Sequence, residues 1–131
     1  IGVGSGVVDR LRELGAPVRG VNVAESSSMG ETYNTLRTEL WFKTKAWLED
    51  RSCKIPQDDE LLADLTGIRY SFTSSGKMAA ESKDQMRRRG LRSPDLADAV
   101  CLTMASDAAM ALSGPMTSWR GEIRRNLRGI A

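Results

Sequence analysis

Two aspartates three residues apart, Asp95 and Asp98, follow a strongly basic segment of the chain. The order is Arg88-Arg89-Gly90-Leu91-Arg92-Ser93-Pro94-Asp95-Leu96-Ala97-Asp98-Ala99. Serine accepts the free amides at a helix start and proline has no amide to leave unpaired. Ser93 is therefore expected as the cap and Pro94 as the first helical residue. Asp95 then falls in the first turn and Asp98 one turn later, with both carboxylates on one helix face. The run from Lys83 to Arg92 holds five basic residues (Lys83, Arg87, Arg88, Arg89 and Arg92) against one acidic residue. A carboxylate pair beside a phosphate-attracting segment is what a metal-dependent nuclease needs. An acidic residue in a first turn also favours the helix dipole with no chemistry attached, and spacing alone leaves both readings open.

The residue types that are missing narrow the chemistry. The chain has no histidine, which excludes Ser-His and Cys-His catalysis and any histidine-ligated zinc. Cys53 and Cys101 lie far apart, without metal-ligand spacing, and are expected as buried thiols of a reducing compartment. No apolar run approaches the roughly 20 residues that span a bilayer, and no signal peptide opens the sequence, so an intracellular, soluble protein is expected. Catalysis, if present, rests on carboxylates, on metals they hold, or on lysine. At 131 residues, with 40% hydrophobic and 27% charged residues, the chain has room for one domain core. A net charge of +2 decides no partner, but its distribution is uneven: Glu49 to Asp64 carries six acidic and two basic residues, ahead of the basic run. Such asymmetry suits one nucleic-acid-facing side or an ordinary solvated face.

The elements that must position these residues follow from periodicity and punctuation. Ile1 to Gly6 is expected as the end of a strand entering a glycine-rich turn, followed by a helix over 7–14 stopped by Gly15. That turn suits either phosphate cradling or a tight strand-to-helix connection. Val18 to Ala24 alternates and predicts a strand, giving a strand–helix–strand crossover and an α/β sheet. The longest helix is expected over 31–49, with Tyr33, Leu36, Leu40, Thr44 and Trp47 on one stripe and Trp41 and Leu48 widening it. Asn34, Arg37 and Glu39 are polar positions on it, within reach of a substrate or of surface partners. Asp58-Asp59-Glu60 opens a short helix through Leu65. Ile68 to Thr73 and Lys77 to Ala80 form a hairpin across Ser74-Ser75-Gly76. Ser82 caps a helix over 83–89, ended by Gly90, and the Asp95/Asp98 helix runs to about Ala105, burying Leu96, Val100 and Met104. Gly114-Pro115 then interrupts, and Trp119 to Leu127 is a basic segment of an appended tail.

Four segments in this order resemble a known family: Gly2-Val3-Gly4-Ser5-Gly6-Val7-Val8-Asp9-Arg10-Leu11; Asn34-Thr35-Leu36-Arg37-Thr38-Glu39-Leu40-Trp41; Gly76-Lys77 with Glu81-Ser82-Lys83; and Ser93-Pro94-Asp95-Leu96-Ala97-Asp98-Ala99. Together they resemble the C-terminal nuclease domain of the large terminase subunit of tailed phages and prophages. The resemblance implies an RNase H-like α/β fold over residues 1–106, truncated at its N-terminus, with 107–131 as a C-terminal tail. It implies an endonuclease that cuts concatemeric double-stranded DNA with two magnesium or manganese ions about 3.5–4 Å apart. Asp98 matches the family's acidic ligand on the last helix, and Asp95 a secondary metal position. Lys83, Arg87, Arg88, Arg89 and Arg92 would lie near the phosphates as positioning contacts. Partners implied are the portal and the small terminase subunit, in an oligomeric motor in the bacterial cytoplasm.

The same resemblance places the family's other two metal-binding acids on strands ahead of Ile1. The chain alone is accordingly expected to have little or no nuclease activity, and its fold to be rearranged or completed by another copy. Two other readings stand beside this one. The segment could be a non-catalytic module docking the motor onto DNA or the portal, or it could belong to another RNase H-like nuclease such as a resolvase or transposase.

Overall fold

A computed structural model describes residues 3–51 and 53–105. Its elements run α1 (Val3–Glu13), α2 (Leu36–Glu49), α3 (Asp59–Gly67), β1 (Tyr70–Phe72), β2 (Met78–Ala80), α4 (Lys83–Arg88) and α5 (Asp95–Thr103). The packing is organised around α5, against which both α2 and α3 lie, while β2 runs along α2. Leu40 and Trp41 of α2, Leu61 of α3, and Ala97 and Cys101 of α5 form the buried core, with Leu36, Leu65, Ile68, Val100 and Met104 packed around it. The small side chain of Ala97, fully buried, lets the neighbouring helices approach the first turn of α5 closely. Leu96 does not join the core as the sequence pattern suggested; it is 41% exposed. The buried stripe is centred on Ala97 and Cys101, and the residue before Ala97 is rotated by about 100°.

The hairpin forms as its turn chemistry demands. Tyr70 pairs with Ala80 and Phe72 with Met78, and Gly76 takes φ +80°. A Cβ is disfavoured in that conformation. β2 is bonded on its other side too. Met78 N–H donates to Thr32 O and Asn34 N–H to Met78 O, making a parallel bridge at Tyr33. That bridge delays the start of α2 from the expected Glu31 to Leu36, where Thr35 caps it by accepting the Thr38 amide. Ser82 and Gln85 form a reciprocal capping box on α4, and Gly90 at φ +78° ends it.

Two sequence expectations fail at the N-terminal end. The glycine-rich stretch is not a turn: α1 is already helical from Val3 and carries Gly4 and Gly6 inside it. Val3 to Glu13 form one uninterrupted helix, so a phosphate-cradling loop is not formed there. Val18 to Ala24 is not a strand, and no strand–helix–strand crossover exists among the described residues. The end of this stretch and the residue after it serve α2 instead: Val23 O accepts from Arg37 N–H and Glu25 O from Leu36 N–H, two amides of the first turn that a helix leaves free. No helix among the described residues is long and apolar enough to cross a membrane. The boundary at residue 107 and the basic segment Trp119 to Leu127 lie outside the described residues.

Candidate metal and phosphate site

The start of α5 is built by α3. Pro94, buried, occupies the cap position and has no side-chain acceptor of its own to offer the helix. Ser93 does not cap; its hydroxyl donates to Asp95 Oδ1 at 2.6 Å. The free amide of Leu96 donates to Asp64 Oδ2 at 3.1 Å, and Asp64 Oδ1 accepts from Arg92 at 2.9 Å. Glu60 pairs with the same guanidinium. A buried carboxylate at a helix N-terminus satisfies an orphan donor and meets the positive end of the dipole. Asp64 and Arg92 thus set where α5 begins and, through it, where its aspartates project.

Asp98 is the focus of the site. Its Oδ1 accepts Trp41 Nε1–H at 3.0 Å and Arg37 Nε–H at 3.3 Å, with Arg37 Nη2 at 3.2 Å. Its Oδ2 faces Lys83 Nζ at 3.2 Å. The same ammonium donates to Asp95 Oδ1 at 3.1 Å, so one cation is shared between the two carboxylates. The Asp98 side chain is 21% exposed and that of Asp95 75%. Burial alone would lower the Lys83 pKa, but hydrogen bonds to Asp95 and Asp98 and their charges raise it above the ordinary lysine value. Hydrogen bonds from Ser93 and then Lys83 hold the Asp95 carboxyl below the usual range. Beside Asp98 a pocket of about 200 Å³ is lined by Val23, Arg37, Trp41, Lys83 and Cys101. Burial, with a contribution from the Asp98 charge, pushes the Cys101 thiol up to about 11. Cys53 is half-buried, donating to the Trp47 carbonyl at 3.5 Å. A larger, mainly apolar hollow of about 570 Å³ lies between α2 and the hairpin, and neither aspartate lines it.

The five cations named from the sequence have different positions. Lys83 reaches the aspartates. Arg89 clasps the Glu81 carboxylate at 2.7 and 2.5 Å and the Gly67 carbonyl at 2.8 Å, which holds the Glu81 carboxyl low. Arg92 is committed to Glu60 and Asp64. Arg87, exposed, pairs with Asp84 in its own helix. Arg88 is exposed and, with Arg69 and Arg89, lines a shallow pocket at the root of the hairpin. The sequence alone does not mark Arg37 and Trp41 as partners of Asp98, because each has a more ordinary reading: a polar helix residue and a core tryptophan. Their one sequence signal is an i,i+4 spacing that places them on the same face of α2.

Among the described residues no group of three or more His, Cys, Asp or Glu side chains is placed to hold a metal ion. Two carboxylates supply hard oxygen donors of the kind magnesium and manganese prefer. They already share one cation, the Lys83 ammonium, so the donor set fits a single divalent ion and not a pair.

No protein-family model matches the sequence, and no curated protein matches it by sequence. The fold is α/β and RNase H-like. Among the solved structures it resembles are several of the nuclease domain of the large terminase subunit gp2 of bacterial virus Sf6. A lysine-to-alanine variant of that domain with manganese and beta-thujaplicinol aligns at a TM-score of 0.62 and 21% identity, over 79% of this chain and 61% of that one. The variant with manganese alone gives 0.58 and 20%, over 79% and 62%. The domain without the substitution gives 0.57 and 20%, over 79% and 61%. The chain therefore spans about six-tenths of the length of the domains it matches.

Proposed function

We propose that the chain is part of the nuclease domain of a DNA-packaging terminase, an endonuclease that hydrolyses phosphodiester bonds of double-stranded DNA with divalent cations. The observation that carries this reading is the position of Asp98 on α5, held by three donors and sharing a cation with Asp95. Asp98, with Asp95, would hold a magnesium or manganese ion. When bound, such an ion supplies Lewis-acid activation of water and of the scissile phosphate. Lys83 would give way as the ion enters and remain beside the phosphate as a positive contact. Arg87 and Arg88 on the exposed side of α4, with Arg69 at the hairpin root, would hold the DNA backbone without reading sequence. Arg89 and Arg92 are committed to Glu81, Glu60 and Asp64, and contribute chiefly by holding α4 and α5 in place. With two carboxylates the chain on its own is expected to bind DNA and metal but to cleave slowly or not at all. The portal and small subunit would be partners of the whole motor.

The test is duplex-DNA binding followed by fluorescence anisotropy, with and without manganese. The reading expects manganese to tighten binding by the native chain but not by Asp98→Asn, and expects Arg87→Glu with Arg88→Glu to weaken binding with or without metal. An identical manganese response in Asp98→Asn would overturn it.

A further inference from the structure

We propose that Arg37 and Trp41 form a clamp that fixes Asp98 so that only its Oδ2 is turned toward a bound cation; this rests on the nuclease reading above. Oδ1 receives the indole N–H at 3.0 Å and the guanidinium Nε–H at 3.3 Å, and Arg37 Nη2 stands 3.2 Å away. A carboxylate oxygen offers two lone-pair directions, and fixed donors take both. Among the described residues Oδ2 meets Lys83 alone, a flexible side chain that is 42% exposed. The two oxygens are therefore unequal before any ion arrives, and Asp98 is a one-oxygen ligand.

Both arms of the clamp are immobilised from behind. The Trp41 ring is part of the core and only 8% exposed, so its N–H has no other direction to point. The Arg37 guanidinium lies 5.9 Å from the Trp41 ring centroid, and its Nη1 donates to the Glu81 carbonyl at 2.8 Å. Glu81 immediately precedes Ser82, the cap of α4, and Lys83 is the first residue of that helix. One guanidinium thus ties the aspartate on α5 to the backbone that delivers Lys83. This gives the Asn34-to-Trp41 block a role: it orients the site from α2 without touching substrate. Arg37 and Trp41 are positioning residues in this account. Outer partners of metal-binding carboxylates typically carry 10–100-fold in metal affinity.

The experiment uses the full 131-residue chain. Nitrogen-15 spectra record the Trp41 indole N–H, and calorimetry records manganese affinity. The clamp expects Asp98→Asn to shift the Trp41 indole resonance while those of the other two tryptophans stay in place. It expects Trp41→Phe, which keeps a ring in the core but loses the donor, to weaken manganese binding by about tenfold or more. Arg37→Lys, which keeps the charge but cannot serve Asp98 and Glu81 together, should do the same. If Trp41→Phe does not fold, Arg37→Lys carries the affinity comparison, and the indole shift in Asp98→Asn requires no change at Trp41. An unmoved indole resonance overturns the clamp. So does manganese binding that is lost in Asp98→Asn yet unchanged in Arg37→Lys. Manganese binding that is absent, or equal in the native chain and Asp98→Asn, overturns the nuclease reading and with it the clamp as an ion-orienting device, whatever the indole shows.

Discussion

Glu39→Gln should destabilise the fold strongly at neutral pH and progressively less as the pH falls toward about 2. Glu39 is 1% exposed, yet it is fully supplied with donors. Its Oε2 accepts from Ser27 Oγ at 2.6 Å and Ser28 N at 2.9 Å, and its Oε1 from Ser28 Oγ at 2.8 Å and Lys43 Nζ at 2.9 Å. Burial would raise its pKa, but hydrogen bonds from Ser27, Lys43 and Ser28 outweigh it and lower the carboxyl from 4.5 to about 2. A depressed carboxyl contributes stability that is complete above its unfolded pKa and is lost as pH falls through the folded one. The window is therefore roughly pH 5 down to 2, and the linkage is worth at most about 3 kcal/mol. Glutamine keeps the shape but turns an NH₂ toward donors, so the expected loss at pH 7 is about 2–3 kcal/mol. Urea unfolding followed by circular dichroism at pH 7 and pH 3 measures it. The gap between native and variant should narrow as the pH falls. An equal gap at both values, or one below about 0.5 kcal/mol at pH 7, would refute the reasoning. The consequence reaches the site, because Glu39 anchors Ser27 and Ser28, next to the carbonyls that hold the first turn of α2 and Arg37 within it.

Three further outcomes follow from named contacts. Lys83→Ala removes the ammonium that a bound cation would displace and should tighten manganese binding in calorimetry by roughly fivefold, the scale of a partly exposed ion pair of about 1 kcal/mol; weaker binding would mean that Lys83 assists the ion. Asp64→Ala leaves the Leu96 amide and part of the Arg92 guanidinium without an acceptor and should cost about 2–3 kcal/mol in urea unfolding, and a cost under about 1 kcal/mol would show that water replaces it. Cys101, buried and with its thiol pushed up to about 11, should resist iodoacetamide at pH 8 until the chain unfolds, while Cys53 reacts in the folded state; equal labelling in mass spectra would contradict this.

What could be read from the sequence was what neighbouring residues decide among themselves. Gly76 between two short alternating runs specified the hairpin, and Ser82 and Gly90 bracketed α4, because a turn or a cap needs only a few adjacent side chains. The Asp95/Asp98 helix was legible for the same reason, although its cap was not. The amide expected to meet Ser93 is met by Asp64, 32 residues earlier. Partners of this kind leave no trace in local periodicity. The bonds from Arg37 and Trp41 to Asp98 span 61 and 57 residues, and Glu39, polar in every helical pattern, is buried because serines of the preceding loop supply its donors. Val18 to Ala24 failed in the opposite sense. Its alternation satisfies the strand rule, but a strand needs a neighbour, and the Val23 carbonyl bonds to the first turn of α2 instead.

The central claim is that Asp98 is a metal ligand, and the most direct test is calorimetric titration of the native chain and Asp98→Asn with manganese. The account predicts a single binding event in the native chain that disappears in the variant while both keep the same circular dichroism spectrum. Equal binding by the two, or none by the native chain, would contradict it.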